Sequence, residues 1–236
     1  MTTLPEACAP PDVSIVIPAY NEEDTIAEVL ERVLALPVHK EVLVVDDCST
    51  DRTFDIARGF GDRIVLLRHE RNRGKGAAIR TALEHAKGEV CIVQDADLEY
   101  DPEQIPELIQ PILAGEVDVV YGTRFHRGMP KGMALPNRIV NVLLRWAVAV
   151  LFWRRLSDEA TCYKAVRTSL LRRMNLVCER FEFCPEVTAK AIRLGKEIRE
   201  MPIRYRPRGK DAGKKIRWTD GVEAFWTLLR HRFSRF

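Results

Sequence analysis

The chain of 236 residues has no CxxC pair, and its six cysteines stand at no metal-ligand spacing from its five histidines. That excludes the common zinc-site patterns. Several of Cys8, Cys48, Cys91, Cys162, Cys178 and Cys184 lie inside apolar runs, so they read as reduced core residues of a cytoplasmic protein. The N-terminus lacks the basic-then-apolar pattern of a signal peptide. The uninterrupted apolar run at 146–153 falls far below the roughly twenty residues that span a bilayer. No repeat, low-complexity tract or clear linker divides the chain. Lys75 in "NRGKGAA" lacks the GxxxxGKS or GxxxxGKT spacing of a P-loop, which disfavours ATP hydrolysis.

What is present is an ordinary globular composition, 46% hydrophobic and 30% charged. The net charge of +3 conceals an asymmetry. Residues 1–119 hold 11 Lys+Arg against 24 Asp+Glu, a balance of −13, whereas residues 120–236 hold 26 against 10, a balance of +16. Such a surplus points to an anionic ligand, nucleic acid or a membrane face. No RNP motif, zinc spacing or basic helix with heptads supports nucleic acid, so that partner is set aside.

The first half alternates short β-branched runs with helical patterns. "VSIVI" (13–17) precedes Ile26, Val29, Leu30, Val33 and Leu34 at helical spacing. "EVLVV" (41–45) precedes a helix that Ser49 or Thr50 would cap, and "RIVLL" (63–67) follows. A helix is expected over 76–87, stopped by Gly88, then "EVCIV" (89–93), a helix over 103–114 stopped by Gly115, and "VDVVYG". This alternation predicts βαβ units and a mainly parallel sheet covered on both faces. Residues 139–153 are nearly all apolar, interrupted by Asn141 and Arg145 and flanked by Arg138, Arg154 and Arg155. They read equally as a buried core helix or as a helix or helical hairpin that lies at a membrane surface or lines a lipid groove.

In such sheets ligands bind beyond the carboxyl ends of the strands. "PAYNEE", "DDCSTD", "QDADLEY" and "GTRF" lie there. Asp95, Asp97 and Glu99 alternate directly after an apolar run, some 7 Å apart if the strand stays extended and closer if it turns. Carboxylates so placed call for a cation. Mg²⁺ or Mn²⁺, held by one or two carboxylates and by diphosphate oxygens, answers that need, with a simply solvated acidic turn as the alternative. Glycines around Lys75 at a helix start suggest an anion site, with packing of a tight turn as the alternative.

"VSIVIPAYNEEDTI", "VLVVDDCSTDRT", "NRGKGAAIRTAL", "QDADLEYDPE" and "YGTRF", in order across 13–125, resemble family 2 glycosyltransferases of GT-A fold. Within that family the resemblance is greatest to the dolichyl- or polyprenyl-phosphate sugar synthases. "TCYKAVR", "FEFCPEVTAKAIRLG" and "RPRGKDAGKKI" extend it more loosely through the second half. The resemblance implies donor-nucleotide contacts at Pro18, Ala19, Tyr20, Asn21 and Glu22, a base contact at Asp47, and donor contacts at Asp95 and Ala96. It implies metal ligands at Asp97 and Glu99, where some relatives carry glutamine at the second position. By the same resemblance Arg124 and Arg138 match the arginines that hold the acceptor phosphate in relatives, and Arg208 and Lys214 match the loop that closes there on the donor diphosphate. Lys75 joins the substrate-binding candidates, and Asp95, Asp97 and Arg124 are the catalytic ones.

The expected organisation is one α/β, Rossmann-like GT-A domain over 1–236 with a basic C-terminal extension and an apolar helix. Residues 1–125 would form the nucleotide-sugar and metal half, and 126–236 the acceptor and membrane-interface half. The expected reaction is inverting, metal-dependent transfer of a hexose from a UDP- or GDP-sugar to polyprenyl or dolichyl phosphate. A saccharide or small-molecule acceptor is the alternative. The chain would work as a peripheral protein at the cytoplasmic membrane face, with "FWTLLRHRFSRF" as an amphipathic tail and a homo-oligomer open.

Overall fold

A computed structural model describes residues 9–126, 128, 135–206 and 218–234. Seven strands form one sheet: β1 (Val13–Ala19), β2 (Lys40–Asp46), β3 (Val65–Arg68), β4 (Val90–Val93), β5 (Val119–Thr123), β6 (Lys164–Arg167) and β7 (Arg199–Pro202), in the order β3-β2-β1-β4-β6-β5-β7. β1, β2, β3 and β4 run parallel, as do β5 and β7. Only β6 is antiparallel, wedged between β4 and β5.

Both faces are covered, as the unbroken apolar runs require. Val13, Ile15 and Ile17 of β1 face one way, with Val42 and Val44 of β2. They pack against α1 (Ile26–Leu34), α2 (Thr53–Arg58) and α4 (Ile105–Leu113). Val16, Leu43 and Val45 face the other way, against α3 (Lys75–His85), α5 (Leu135–Phe152), α6 (Thr168–Arg173), α7 (Phe183–Arg193) and α8 (Trp218–Phe233). Period-two alternation thus divides each strand between two cores.

Two expected signals work differently in the fold. Helix α2 begins at Thr53 without a side-chain cap, so Ser49 and Thr50 do not cap it; they bind the loop after β1 instead. Gly88 does not stop α3, which ends at His85. A Cβ on Gly88 would lie 2.4 Å from the Ser14 nitrogen, so glycine is there to let β1 approach.

The apolar helix α5 has one face in the core and one exposed. Leu144, Ala147, Val148 and Phe152 of α5 are buried with Ala224 and Leu228 of α8. On the outside, Leu143, Trp146 and Val150 of α5 and Val222, Phe225 and Trp226 of α8 are exposed. No described helix is long and apolar enough to cross a membrane. Helix α8 shares the core with α5 and α7.

Candidate active site

The loops after β1 and β2 are laced together at the carboxyl edge of the sheet. The Asn21 N–H donates to Ser49 Oγ at 3.0 Å, and the Thr50 N–H donates to Asn21 Oδ1 at 2.9 Å. The Glu22 N–H donates to Thr53 Oγ1 at 2.8 Å. Asn21 has φ of 50°, a left-handed conformation that asparagine tolerates better than most residues. Thr25 Oγ1 donates to the Ala96 carbonyl at 2.7 Å, tying this wall to the acidic loop. Pro18, Ala19, Tyr20, Asn21, Glu22, Asp47, Asp95 and Ala96 are thereby gathered along the ends of β1, β2 and β4.

Asp47 is 3% exposed, and its own chain occupies its carboxylate. Oδ1 accepts from His69 Nδ1 at 2.7 Å and from the Arg73 N–H at 2.8 Å, while Oδ2 accepts from the Gly74 N–H at 2.7 Å. It holds the 72–74 loop against the sheet. The N-terminus of α3 that follows is not an anion site. The Gly76 and Ala77 N–H groups donate to the Arg180 and Glu179 carbonyls, both at 2.9 Å. Gly74, with φ of 91°, would place a Cβ 2.4 Å from the Glu179 oxygen. Packing of a tight turn is therefore what the glycines provide.

The cation among the acids is Lys75. Its Nζ pairs with Asp95 Oδ1 and donates to Cys162 Sγ at 3.1 Å. Burial draws the lysine pKa down, but Asp95 and Cys162 outweigh it and hold the group well above its ordinary range. Beyond Asp95 the chain turns. Leu98 has φ of 58°, and the Glu99 N–H donates to Asp97 Oδ1 at 3.1 Å. Tyr205 Oη donates to Glu99 Oε2 at 2.7 Å, so the segment after β7 reaches back to the acidic loop.

Among the described residues no three His, Cys, Asp or Glu side chains converge on a metal by themselves. Mg²⁺ and Mn²⁺ do not require that: one or two carboxylates, completed by phosphate oxygens and water, form their usual shell. Asp97 and Glu99 are such a pair of hard oxygen donors, two residues apart on a turn, and they fit that group.

Arg124, at the end of β5, is held bidentately. Its Nε and Nη2 donate to the two oxygens of Asp158 at 2.7 Å each, and its N–H donates at 2.9 Å. The pair is buried, with side chains 9% and 0% exposed. The fork expected to take a phosphate is thus engaged by Asp158. Arg138, on α5, has its Nε buried without a partner among the described residues. Arg208 and Lys214 lie outside the described residues.

Residues 14–173 match the family described as glycosyl transferase family 2. The chain belongs to that family. It is 32% identical over 204 residues to an undecaprenyl-phosphate 4-deoxy-4-formamido-L-arabinose transferase of Edwardsiella ictaluri, covering 83% of this chain and 60% of the relative. It is 31% identical over 210 residues to a dodecaprenyl-phosphate galacturonate synthase of Rhizobium johnstonii, covering 84% and 60%. The chain thus spans about three fifths of the length of these relatives. Its fold is similar to that of glucosyl-3-phosphoglycerate synthase from Mycobacterium tuberculosis, solved with Mn²⁺, UDP and phosphoglyceric acid. That likeness has a TM-score of 0.73 at 23% identity, covering 96% of this chain and 80% of that one. The α/β fold with its mostly parallel sheet therefore resembles the GT-A glycosyltransferases.

Three residues of this family 2 chain escaped the sequence reading. Gln94 is fully buried; its Nε2 donates to the Asp95 carbonyl at 3.0 Å and its Oε1 accepts from Tyr163 Oη, so it shapes the acidic turn from below. A polar residue closing a buried strand was the available signal. Asp158 meets Arg124 across 34 positions, and no spacing along the chain pairs the two. Glu200 of β7 accepts from the Ser157 and Asp158 N–H groups at 2.9 and 3.1 Å, fixing the loop that carries Asp158. No local pattern marks such a partner.

Proposed function

We propose that this chain is a metal-dependent glycosyltransferase that moves a sugar from a nucleoside diphosphate to a polyprenyl phosphate, with inversion at the anomeric carbon. The observation that carries the acceptor is the exposed apolar face of α5 and α8. Trp146 is 68% exposed, Trp153 86% and Trp226 61%, with Arg154 and Arg155 also exposed beside them. A water-soluble acceptor has no use for such a face, whereas a lipid surface does: aromatic rings enter the interface and arginines meet anionic headgroups. The acceptors in the names of the two curated relatives support the same class.

In this reading residues 1–125 take the donor. The laced loops around Tyr20 to Glu22 form the wall for the nucleotide, and Asp97 and Glu99 would hold Mg²⁺ or Mn²⁺. When bound, that cation neutralises charge on the departing diphosphate. Lys75 compensates Asp95 beside the donor. Residues 126–236 take the acceptor and meet the membrane surface. Arg138, with its uncommitted Nε, is the arginine for the acceptor phosphate, while Arg124 adds positive charge from its pair with Asp158. A phosphate monoester has a second pKa near about 6, so its oxygen is largely deprotonated at neutral pH and needs little general base. Between donors, we favour a UDP-hexose over GDP-mannose.

The test is nucleoside diphosphate release from UDP- and GDP-sugars with Mn²⁺ or Mg²⁺, with and without a short polyprenyl phosphate. Lipid-dependent release from one donor supports the proposal. Donor binding with release stimulated only by saccharides moves the acceptor elsewhere, and no donor binding overturns the reading.

A further inference from the structure

Three described cysteines, Cys48, Cys162 and Cys184, are not buried, and the last two are neighbours in the fold. Cys162 lies just before β6 and Cys184 in the first turn of α7, both partly exposed. Each thiol acts on the protonation of the other. Cys184 Sγ also donates to the Thr161 carbonyl at 3.2 Å, one residue before Cys162. On its other side Cys162 Sγ accepts from Lys75 Nζ at 3.1 Å, and that lysine pairs with Asp95. Neighbouring thiols, one of them touching a cation, are the arrangement in which reactive cysteines are found. Cys91 and Cys178 are the contrast: 1% and 5% exposed, with burial pushing the Cys91 thiol up to about 12 and raising Cys178 as well.

We propose that Cys162 and Cys184 are a redox-sensitive pair that closes to an intramolecular disulfide under peroxide and reopens under a dithiol reductant. The Cys184 thiol is the better nucleophile. Donation from Cys162 lowers its pKa, and the charges of Lys164 and Lys75 act in the same direction against burial. Its thiolate attacks one oxygen of hydrogen peroxide; an S–O bond forms, the O–O bond breaks, and hydroxide leaves to take up the proton that the thiol had lost. The Cys162 sulfur then attacks the sulfenic sulfur, an S–S bond forms, and the sulfenic oxygen departs as water with the Cys162 proton. Two thiols and one peroxide thus give one disulfide and two waters.

The bond ties the segment entering β6 to α7 and replaces the sulfur that Lys75 contacts with a poorer acceptor. Lys75 then keeps only Asp95 of those two contacts, and the acidic loop shifts its balance of charge. This consequence rests on the donor-site reading; the disulfide itself does not.

The full chain is treated with hydrogen peroxide, its remaining thiols are alkylated without reduction, and it is digested with trypsin for mass spectrometry. The expected product joins peptides 156–164 and 181–190, disappears with dithiothreitol, and is absent from Cys162→Ser and from Cys184→Ser. Recovery of both peptides alkylated, sulfinic acid on each separately, or a cross-link only between two chains overturns the proposal. Binding of UDP with Mn²⁺, measured on the same samples, should weaken several-fold in the cross-linked form. Unchanged UDP binding by a chain that does form the cross-link overturns the coupling to the site, and failure of the reduced chain to bind UDP at all tells against the donor reading instead.

Discussion

Replacing Asp158 by alanine strands a guanidinium. The Arg124 side chain is 9% exposed, and the carboxylate that meets it is wholly buried. Three hydrogen bonds join them, two at 2.7 Å and one at 2.9 Å. Bonds to charged groups contribute roughly 1.5–3 kcal/mol each, but a plain sum overstates the pair because both ions had to leave water. The cost of breaking a buried pair from one side, about 3–5 kcal/mol, is the better guide. At this chain length, Tm falls by about 2–4 °C per kcal/mol, so Asp158→Ala should lower it by roughly 6–20 °C. Arg124→Ala also loses packing, since the guanidinium carbon lies 5.1 Å from the Phe125 ring centroid and 5.2 Å from that of Tyr205. The double variant strands no charge, so it should lose about 0.5–3 kcal/mol less than the two single losses added together. Urea unfolding followed by circular dichroism, compared at equal m-values, measures all four states. An Asp158→Ala chain within 1 kcal/mol of wild type, or strictly additive losses, would refute the reasoning and mean that water already solvates Arg124.

Asp97→Ala should abolish Mn²⁺-dependent UDP binding in calorimetry while leaving Tm within a few degrees; retained binding removes Asp97 from the metal site. Gly88→Ala forces a Cβ to within 2.4 Å of the Ser14 backbone nitrogen and should cost about 1–3 kcal/mol in urea unfolding; no loss would show that the β1 edge gives way freely. Burial lowers the His231 pKa, with Glu186 pulling it up and Lys190 pushing it down, and the net is depressed. The unfolded chain therefore takes up that proton first, so this part of the stability is complete above about pH 6.5 and is lost as the pH falls below it. His231→Gln should remove that step from a Tm–pH profile between pH 7 and 5. Trp146→Ser combined with Trp226→Ser should reduce sedimentation with anionic liposomes several-fold, as should neutralising Arg154 and Arg155; unchanged sedimentation assigns the face to something other than lipid.

Local signals rendered the first half of the fold legible. Ile26, Val29, Leu30 and Val33 were an apolar stripe at helical spacing and are the buried side of α1. β1, β2, β4 and β5 were dense β-branched runs and are the middle of a sheet covered on both faces. β6 and β7 were not legible, because four residues each, with arginine or lysine at an end, carry no periodicity to read. Their place is set from outside: β6 is fixed by pairing to β4 and β5, and β7 by pairing to β5. The site shows the same division. Clustering of polar residues at four strand ends was visible along the chain. That Asp47 is spent on His69 and the 73–74 backbone, or that Arg124 meets Asp158, is a matter of contacts 22 to 34 positions apart, and no spacing rule anticipates those.

The three acids after β4 are best understood by dividing them. Three unpaired carboxylates at one turn would repel one another strongly, and a divalent cation shared with a diphosphate is usually held by only one or two of them, with water filling the shell. The chain removes the first acid from that competition with an internal cation, Lys75, held from α3. Gln94 and the left-handed Leu98 then bend the backbone, and Asp97 and Glu99 come to the same turn. On this account Lys75 and the metal are not alternatives. With Asp95 paired to the lysine, a metal would meet two carboxylates and not three, and Lys75→Met should therefore disturb metal affinity as well as the fold of the loop. If Mn²⁺ binding in the presence of UDP were unchanged in Lys75→Met, with Asp97→Ala still inactive in the same assay, the three acids would have to be independent of one another, and this division of labour would be wrong.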